Sequence, residues 1–423
     1  MPIKRFDATS WRASPLSRRR LDLSEYAAER AAVAEICGRV AAGGDDALRE
    51  YGARFEGWAP GPDESFRVEP AEMAAAAGRL ATADRAALEF AAGRIRDFHS
   101  LQLDTATRGS PGLKLITRPV RRAGLYAPGG RASYPSTVLM TAIPARVAGV
   151  SEVVVATPPR ADGTVPDAIL AAAHIAGVDA VYRMGGAQAI AAMAYGTRTI
   201  PRVDVVAGPG NIYVTLAKRE VFGAVGVDGI AGPTEVLVIA DARARADFVA
   251  ADLAAQLEHD PLAIAVLVTD SAALADRVRE ELENLVLGLD RSAIIHAATC
   301  CVVVVDDLEE AVRIANEFAP EHLLIVTEDA SKLASEVENA GAVFVGAYAT
   351  VPLGDYVAGP NHTLPTSGAA RFASPLGVHT FMKRTSVLSL ERGDVEMLRE
   401  ACVRLAAMEG LGAHAHAVEV RLE

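Results

Sequence analysis

The apolar positions of this chain change their period partway along it. From Leu21 to about Gly43, and again near 70–80 and 83–100, they recur at helical spacing, and Gly43-Gly44 ends the first run. Near Pro119 the texture shifts to short, continuous β-branched runs alternating with helical stretches. AGLYAPGG reads as a strand running into a glycine turn, and STVLMTAIPARVAGV as a helix that tolerates one proline. EVVVAT, DAVYRMGG and RVDVVAGPG predict strands; PDAILAAAHIAG, AQAIAAMAYG and NIYVTLAKREVFG predict the helices that follow them. A second series begins at EVLVIAD and continues through AIAVLVTD, CCVVVVDD, HLLIVTED and AVFVGA, with helices predicted at 244–259 and near 271–286, 308–318 and 329–340.

Uninterrupted apolar strands separated by helices imply parallel strands buried on both faces. The fold class that follows is α/β: two Rossmann-like, doubly wound open sheets facing a crevice, with a helical N-terminal arm and a small helical C-terminal tail. The predicted divisions are an arm at 1–20, which itself reads as extended, a first α/β domain from 21–125 plus 236–375, a second from 126–235, and a tail at 376–423. That tail is too short for a third sheet and is expected to be helical. Both halves share a β-α grammar, but no internal repeat is strong enough to argue from.

Composition narrows the function. The chain has 423 residues, enough for two or three domains, and 51% of them are hydrophobic, enough for a sizeable core. A formal net charge of −12 repels phosphate backbones and argues against nucleic acid as a partner. The local cluster Arg18, Arg19, Arg20 reads as solvated surface rather than a binding patch. The four cysteines, at 37, 300, 301 and 402, show no CxxC spacing, so neither a disulfide framework nor a thiolate zinc site is expected. Cys300 and Cys301 open an apolar run and read as core residues rather than aldehyde-trapping nucleophiles. No apolar stretch is long enough to span a membrane, and MPIKRFDATSW has no signal-peptide apolar region, so a cytoplasmic protein is expected.

Five places hold residues suited to chemistry. Gln256 and His259 lie three apart at a helix end, a spacing that fits a metal half-site or a solvent-facing cap. In FAPEHL, Glu321 and His322 follow Pro320; they are either two proton acceptors or a helix N-terminus with a polar core histidine. The irregular loop PLGDYVAGPNHTLPTSG carries Asp355 and His362, both possible ligands. The run MEGLGAHAHAV gathers Glu409, His414 and His416 and reads by default as a frayed tail. The glycine turns APGG (127–130), MGGAQ (184–188) and AGPGN (207–211) each lie between a strand and a helix, where backbone amides face an anion, yet none is GxGxxG.

Taken in order, the blocks GLYAPGG, GGAQAIAAMAYGT, VAGPGN, AGPTEVLVIAD, AAQLEHDP, FAPEHL, GDYVAGPNHTLPTSGAARF, KRTS and EGLGAHAHAV give the chain its resemblance to the histidinol dehydrogenase family, from about residue 20 to the end. The resemblance implies an NAD-dependent oxidation of L-histidinol through the aldehyde to L-histidine. It implies one zinc per subunit, on Gln256, His259, Asp355 and His414, the last from the tail of a second subunit in an intertwined homodimer. It places proton acceptors at Glu321 and His322. Substrate contacts fall on Thr234, Gln256, His259, His322, Asp355, Glu409 and His414, and NAD contacts on Tyr126, Gln188 and Asn211. Two positions depart from the family: Thr234 stands where Ser is usual, keeping the hydroxyl, and His416 where Asn is common. Relatives that oxidise other alcohols, including a sulfonated propanediol, share the fold and the zinc; Gln188 and Glu409 agree here with the histidinol type.

Overall fold

β-Branched runs without polar alternation have two faces to cover, and both are covered here. The computed structural model describes residues 3–18, 21–62, 64–103, 108–110, 112–129 and 133–423. Its strands are β1 (Ile3–Asp7), β2 (Arg67–Val68), β3 (Arg108–Ser110), β4 (Leu113–Pro119), β5 (Arg122–Tyr126), β6 (Glu152–Thr157), β7 (Ala180–Arg183), β8 (Val205–Ala207), β9 (Gly226–Val227), β10 (Glu235–Ala240), β11 (Ile264–Thr269), β12 (Thr299–Val304), β13 (His322–Val326), β14 (Ala342–Val345) and β15 (Met382–Leu388). β10 and β11 are buried at every position. Among the described residues no helix is long and apolar enough to cross a membrane.

Two six-stranded sheets carry the main unit, residues 1–102 and 120–381. The first runs β2-β7-β6-β5-β8-β9, parallel except for β2. The second runs β1-β12-β11-β10-β13-β14, parallel throughout. Renumbered by appearance, the five main strands of each follow the order 3-2-1-4-5, with one earlier strand added beside strand 3. The α/β class with two doubly wound sheets is therefore what the chain adopts. Cys300 and Cys301 point to opposite faces of β12, into separate apolar clusters. Burial pushes their thiols up to about 12 and about 11, which makes them inert core residues.

The structure redraws three parts of the sequence reading. The first 20 residues are not simply extended: β1 adds an edge strand beside β12, and the helix Ala8–Ala13 buries Trp11, whose ring lies 5.6 Å from Phe6 and 6.0 Å from Phe318. Of the basic cluster, Arg18 is exposed; Arg19 and Arg20 lie outside the described residues. The helical run from Leu21 does not stop at Gly43-Gly44. It kinks at Gly44 (φ 53°), a left-handed angle that glycine tolerates, and spans Ala27–Phe55 in all. Its Val33, Val40, Leu48 and Tyr51 pack in one cluster with Ile190 and Leu216, so this helix covers the first sheet rather than joining residues 236–375.

The tail differs most. Met382–Leu388 is a strand, paired antiparallel with β4 from Met382↔Pro119 to Leu388↔Leu113, and β3 joins on β4's other side. Residues 103–119 and 382–423 form a compact unit of their own, a three-stranded sheet with the helices Arg392–Met408 and Gly412–Glu419. The helices expected in the tail are present, but the strand before them is unexpected, because MKRTSVL, polar at four of seven positions, carries no apolar run to mark it. The helix expected at 329–340 is only Ala330–Ala334.

Candidate active site

β10 and β13 are neighbours, with Val236 opposite His322, so Thr234-Glu235 and Glu321-His322 meet at the amino ends of two adjacent strands. Ala319, left-handed at φ 52°, ends the helix Leu308–Phe318, and the chain enters β13 after Pro320. The alternative of Glu321 at a helix N-terminus is thereby corrected: His322 already pairs in register with both β10 and β14.

His322 is buried, at 3% exposure. Its Nδ1 lies 3.2 Å from the Glu235 carbonyl oxygen and 3.5 Å from Glu321 Oε2. With Nδ1–H donating to that carbonyl, Nε2 is the acceptor whenever the ring is neutral. Nε2 has no hydrogen-bond partner and sits 3.6 Å from Asp355 Oδ1. Burial works against the charged imidazole, but Glu321 and Asp355 outweigh it and raise the group to about 10. Burial pushes the Asp355 carboxyl up, yet His322, with smaller contributions from His362 and His259, holds it below the ordinary value.

A hydrogen-bonded chain runs away from this pair. Glu321 Oε2 accepts the Glu235 backbone N–H at 2.9 Å and the Thr234 hydroxyl. Thr234 in turn accepts from the Gln256 amide nitrogen. That leaves Gln256 Oε1 buried without a partner. Gln256 stands near the end of the helix Ala246–Leu257; one turn earlier, buried Asp252 accepts the Thr350 hydroxyl at 2.5 Å. Thr350 leads into Val351–Leu353 and the π-turn Gly354–Ala358 that carries Asp355, so one hydrogen bond joins the segments bearing Gln256 and Asp355. His362 holds the Asp355 carbonyl through Nδ1 at 3.0 Å, and burial lowers its pKa. His259 is exposed just past the helix end, its charge close enough to help lower Asp355.

Among the described residues no three His, Cys, Asp or Glu side chains are gathered as a metal cluster. What the main unit brings together is Gln256, Asp355, His322 and nearby His259. Glu409 and His414 are exposed on the second unit, Glu409 at the end of Arg392–Met408 and His414 on Gly412–Glu419.

The first sheet supplies glycine turns after β5, β7 and β8. Tyr126 ends β5, and its hydroxyl accepts the Gly186 N–H at 3.1 Å; burial pushes that phenol up to about 12. Gln188, 3% exposed, donates through Nε2 to Glu56 Oε1 at 3.3 Å. Asn211 caps the helix Ile212–Val221, accepting from Tyr213 N and Val214 N at 3.1 and 3.2 Å. The turn before it is clamped by a buried ion pair, Lys218 Nζ to Asp228 Oδ1 at 2.5 Å. Lys218 also donates to the Gly208 carbonyl at 2.6 Å, and Asp228 Oδ2 accepts the Gly208 N–H at 2.8 Å. Gly130 of the APGG turn lies outside the described residues. A cavity of about 860 Å3 has Gly208, Pro209 and Gly210 on one wall and Thr234, Glu321 and His362 on another.

Sequence reasoning missed Glu56, Glu235, Lys218, Asp228 and Asp252. Each is a charged residue in or beside an otherwise ordinary helix or strand end, and no local pattern marks it; only the fold brings it against a candidate site.

An imidazole between two carboxylates, one of which (Glu321) lines a cavity shared with the Gly208–Gly210 turn of the other Rossmann-like sheet, is the arrangement of an α/β enzyme equipped for proton transfer. The family model described as histidinol dehydrogenase matches residues 17–422. The chain is 48% identical over 400 residues to the histidinol dehydrogenase of Prochlorococcus marinus (strain MIT 9313), covering 93% of this chain and 90% of that one. It is 49% identical to that of Synechococcus sp. (strain ATCC 27144 / PCC 6301 / SAUG 1402/1), covering 92% of each. The crystal structure of histidinol dehydrogenase from Elizabethkingia anophelis superposes with a TM-score of 0.90 at 33% identity, covering 99% of this chain and 98% of that one. The chain belongs to the histidinol dehydrogenase family, and is an oxidoreductase.

Proposed function

We propose that the chain oxidises L-histidinol through the aldehyde to L-histidine, with NAD as hydride acceptor and one zinc ion per subunit. The observation that carries this reading is the continuous array Gln256–Thr234–Glu321–His322–Asp355, which ends in two buried polar atoms without partners, Gln256 Oε1 and His322 Nε2. Orphaned buried polar atoms in a native site call for an unseen ligand.

The residue types fit zinc. Gln256 and Asp355 offer oxygen, His259 offers imidazole nitrogen, and the tail's His414 supplies the fourth donor from a second subunit; no thiolate is required. When bound there, zinc would supply Lewis-acid positioning of the substrate, and NAD would be the hydride acceptor, since zinc has no redox role. The chain's own residues then handle protons. His322, held to the Glu235 carbonyl through Nδ1, takes the carbinol proton on Nε2; Glu321 and Asp355 stabilise the imidazolium so formed. Glu321, held by Thr234 and the Glu235 amide, accepts a proton from the water that attacks the aldehyde. His322 serves again as base for the second oxidation. Tyr126, Gln188 and Asn211 receive the dinucleotide. Keeping the aldehyde in the cavity protects it from side reactions.

The homodimer with exchanged tails is supported by the second unit's surface. Met397, Leu398, Leu405, Met408 and Leu411 are 74%, 46%, 59%, 80% and 40% exposed beside His414 and Glu409, an apolar patch of the kind that protein interfaces cover.

The test is steady-state NADH formation with L-histidinol against a sulfonated propanediol, before and after chelation. Preferred turnover of histidinol, lost on metal removal and restored by zinc, is expected. Full-rate turnover by metal-free protein, or preference for the sulfonated alcohol, overturns the reading. Mixed dimers of His259→Ala and His414→Ala subunits should regain activity that neither variant has alone.

A further inference from the structure

The MGGAQ turn has the form of an anion receptor: a strand, two glycines, then the helix Gly186–Tyr195 with its amides facing outward. Its anion position is already filled by the protein. Glu56, which follows the helix Ala27–Phe55, places Oε1 2.5 Å from the Gly185 backbone N–H and 3.3 Å from Gln188 Nε2. The space is reserved for it. A Cβ on Gly185 would lie 2.8 Å from Glu56 Oε1 and 2.7 Å from the Pro158 side chain, and one on Gly186 would lie 2.8 Å from Gln188 Oε1. The next donor, Gly186 N–H, is taken by the Tyr126 hydroxyl. Two of the amides at this end of the helix, Gly185 and Gly186, are therefore committed to side chains. Burial pushes the Glu56 carboxyl up to about 7, only partly offset by the two donors.

We propose that Glu56 is a positioning residue for the dinucleotide: it fills the amino end of the helix Gly186–Tyr195, sets the Gln188 side chain, and makes this turn a receptor for an uncharged part of the cofactor rather than for its phosphates. The inference rests on the NAD-dependent reading above and adds the chemical class that this turn accepts. A carboxyl group within hydrogen-bond reach of the Gly185 amide excludes a phosphate dianion there by occupancy and, when ionised, by charge. It leaves the Gln188 side chain oriented for a ribose hydroxyl or an amide, groups that neither carry charge nor meet repulsion from Glu56. Gln188 cannot hold that orientation alone, because its amide nitrogen has Glu56 as its protein acceptor.

The experiment compares the parent with Glu56→Gln and Glu56→Ala, both as full-length protein loaded with zinc. It measures the Kd for NADH by fluorescence, the KM for NAD and for histidinol, competition by inorganic phosphate, and thermal stability. Glu56→Gln keeps an acceptor oxygen but makes both bonds neutral, and should raise the NADH Kd up to about tenfold, the scale separating charge-assisted from neutral hydrogen bonds, while the KM for histidinol stays put. Glu56→Ala should do the same and also gain phosphate inhibition competitive with NAD, because Gly185 N–H and the Gln188 amide become free. Thermal stability at or above the parent's in Glu56→Gln, with weakened NADH binding, separates positioning from a purely structural role. Unchanged NADH affinity in both variants overturns the proposal. So does phosphate competing as strongly in the parent as in Glu56→Ala. A parent that binds no NADH overturns the NAD-dependent reading, and this proposal with it.

Discussion

The two large sheets share one strand order and use opposite ends of it. In the first, Tyr126 and the Gly185 and Gly208 turns lie at the carboxyl ends of β5, β7 and β8, where open parallel sheets ordinarily receive ligands. In the second, Thr234-Glu235 and Glu321-His322 lie at the amino ends of β10 and β13, the two strands between which the order reverses. The difference is chemical. Carboxyl ends lead into helix N-termini, whose amides face anions or the groups that stand in for them. Amino ends offer single backbone donors such as Glu235 N–H, which grip one carboxylate, and carbonyls such as that of Glu235, which fix the tautomer of a histidine. One fold, used from both ends, thus sets the Gly208–Gly210 turn of one sheet and Thr234 and Glu321 of the other on one cavity, the walls proposed above to serve the nucleotide and the acid-base chemistry.

The largest effects should come from the acid-base wall. His322→Asn removes the base for both oxidations and should cost about 10²–10⁴ in kcat for each. Glu321→Gln should leave the alcohol-to-aldehyde step mostly intact and cripple aldehyde oxidation by a similar factor. NADH formation measured separately from histidinol and from histidinaldehyde checks this. Equal loss in both steps would break the division of labour between the two side chains.

On the nucleotide wall the matching weak point is the buried pair Lys218–Asp228, each side chain 5% exposed. Lys218→Met leaves a buried carboxylate without its cation and should destabilise the fold by about 3–5 kcal/mol. Because Lys218 also holds the Gly208 carbonyl, NADH binding should weaken further than the lost stability explains. Urea unfolding beside NADH titration measures both. A neutral substitution would mean that the glycine turn keeps its shape unaided, and that the two walls differ less than argued.

Asp252 joins the two segments that bring Gln256 and Asp355 together, without facing the cavity's chemistry itself. Asp252→Ala removes the acceptor that ties the Thr350 segment to the helix carrying Gln256, and should lower zinc affinity about tenfold. Competition with a chromophoric chelator reads this directly. Unchanged affinity would show that the Thr350 bond supports the helix packing alone.

How much of this was legible beforehand follows the same division. β10 to β13 and β5 to β7 announce themselves as apolar runs, because strands buried on both faces need no polar alternation. β15 and β4 do not, because a small sheet with half-exposed positions keeps its Lys, Arg, Thr and Ser. Glu321 and His322 were visible as an odd pair after a proline, but their strand-end placement depends on pairing with β10, more than 80 residues earlier in register terms. Glu56 and Asp252 were invisible. A carboxylate at a helix end or on a helix face looks solvated until the fold buries it, and in both cases the burying partner is remote in sequence: Gly185 for one, Thr350 for the other.

The smallest effect tests a single methyl group. Thr234 links the two halves of the acid-base wall, donating to Glu321 and accepting from Gln256. Its hydroxyl does both; its methyl does neither. Thr234→Ser should therefore change the rate of either oxidation by less than about threefold, since it removes one CH3 from a half-buried position worth about 1 kcal/mol at most. Thr234→Val keeps the shape and removes the hydroxyl. Glu321 then loses one of two donors and the Gln256 amide loses its acceptor, so aldehyde oxidation, which needs Glu321 as base, should fall by about tenfold or more, with alcohol oxidation less affected. Valine matching serine in both steps would mean that Glu321 is held by the Glu235 amide alone. The acid-base wall would then rest on backbone donors at the strand ends, and the side-chain array would be incidental to it.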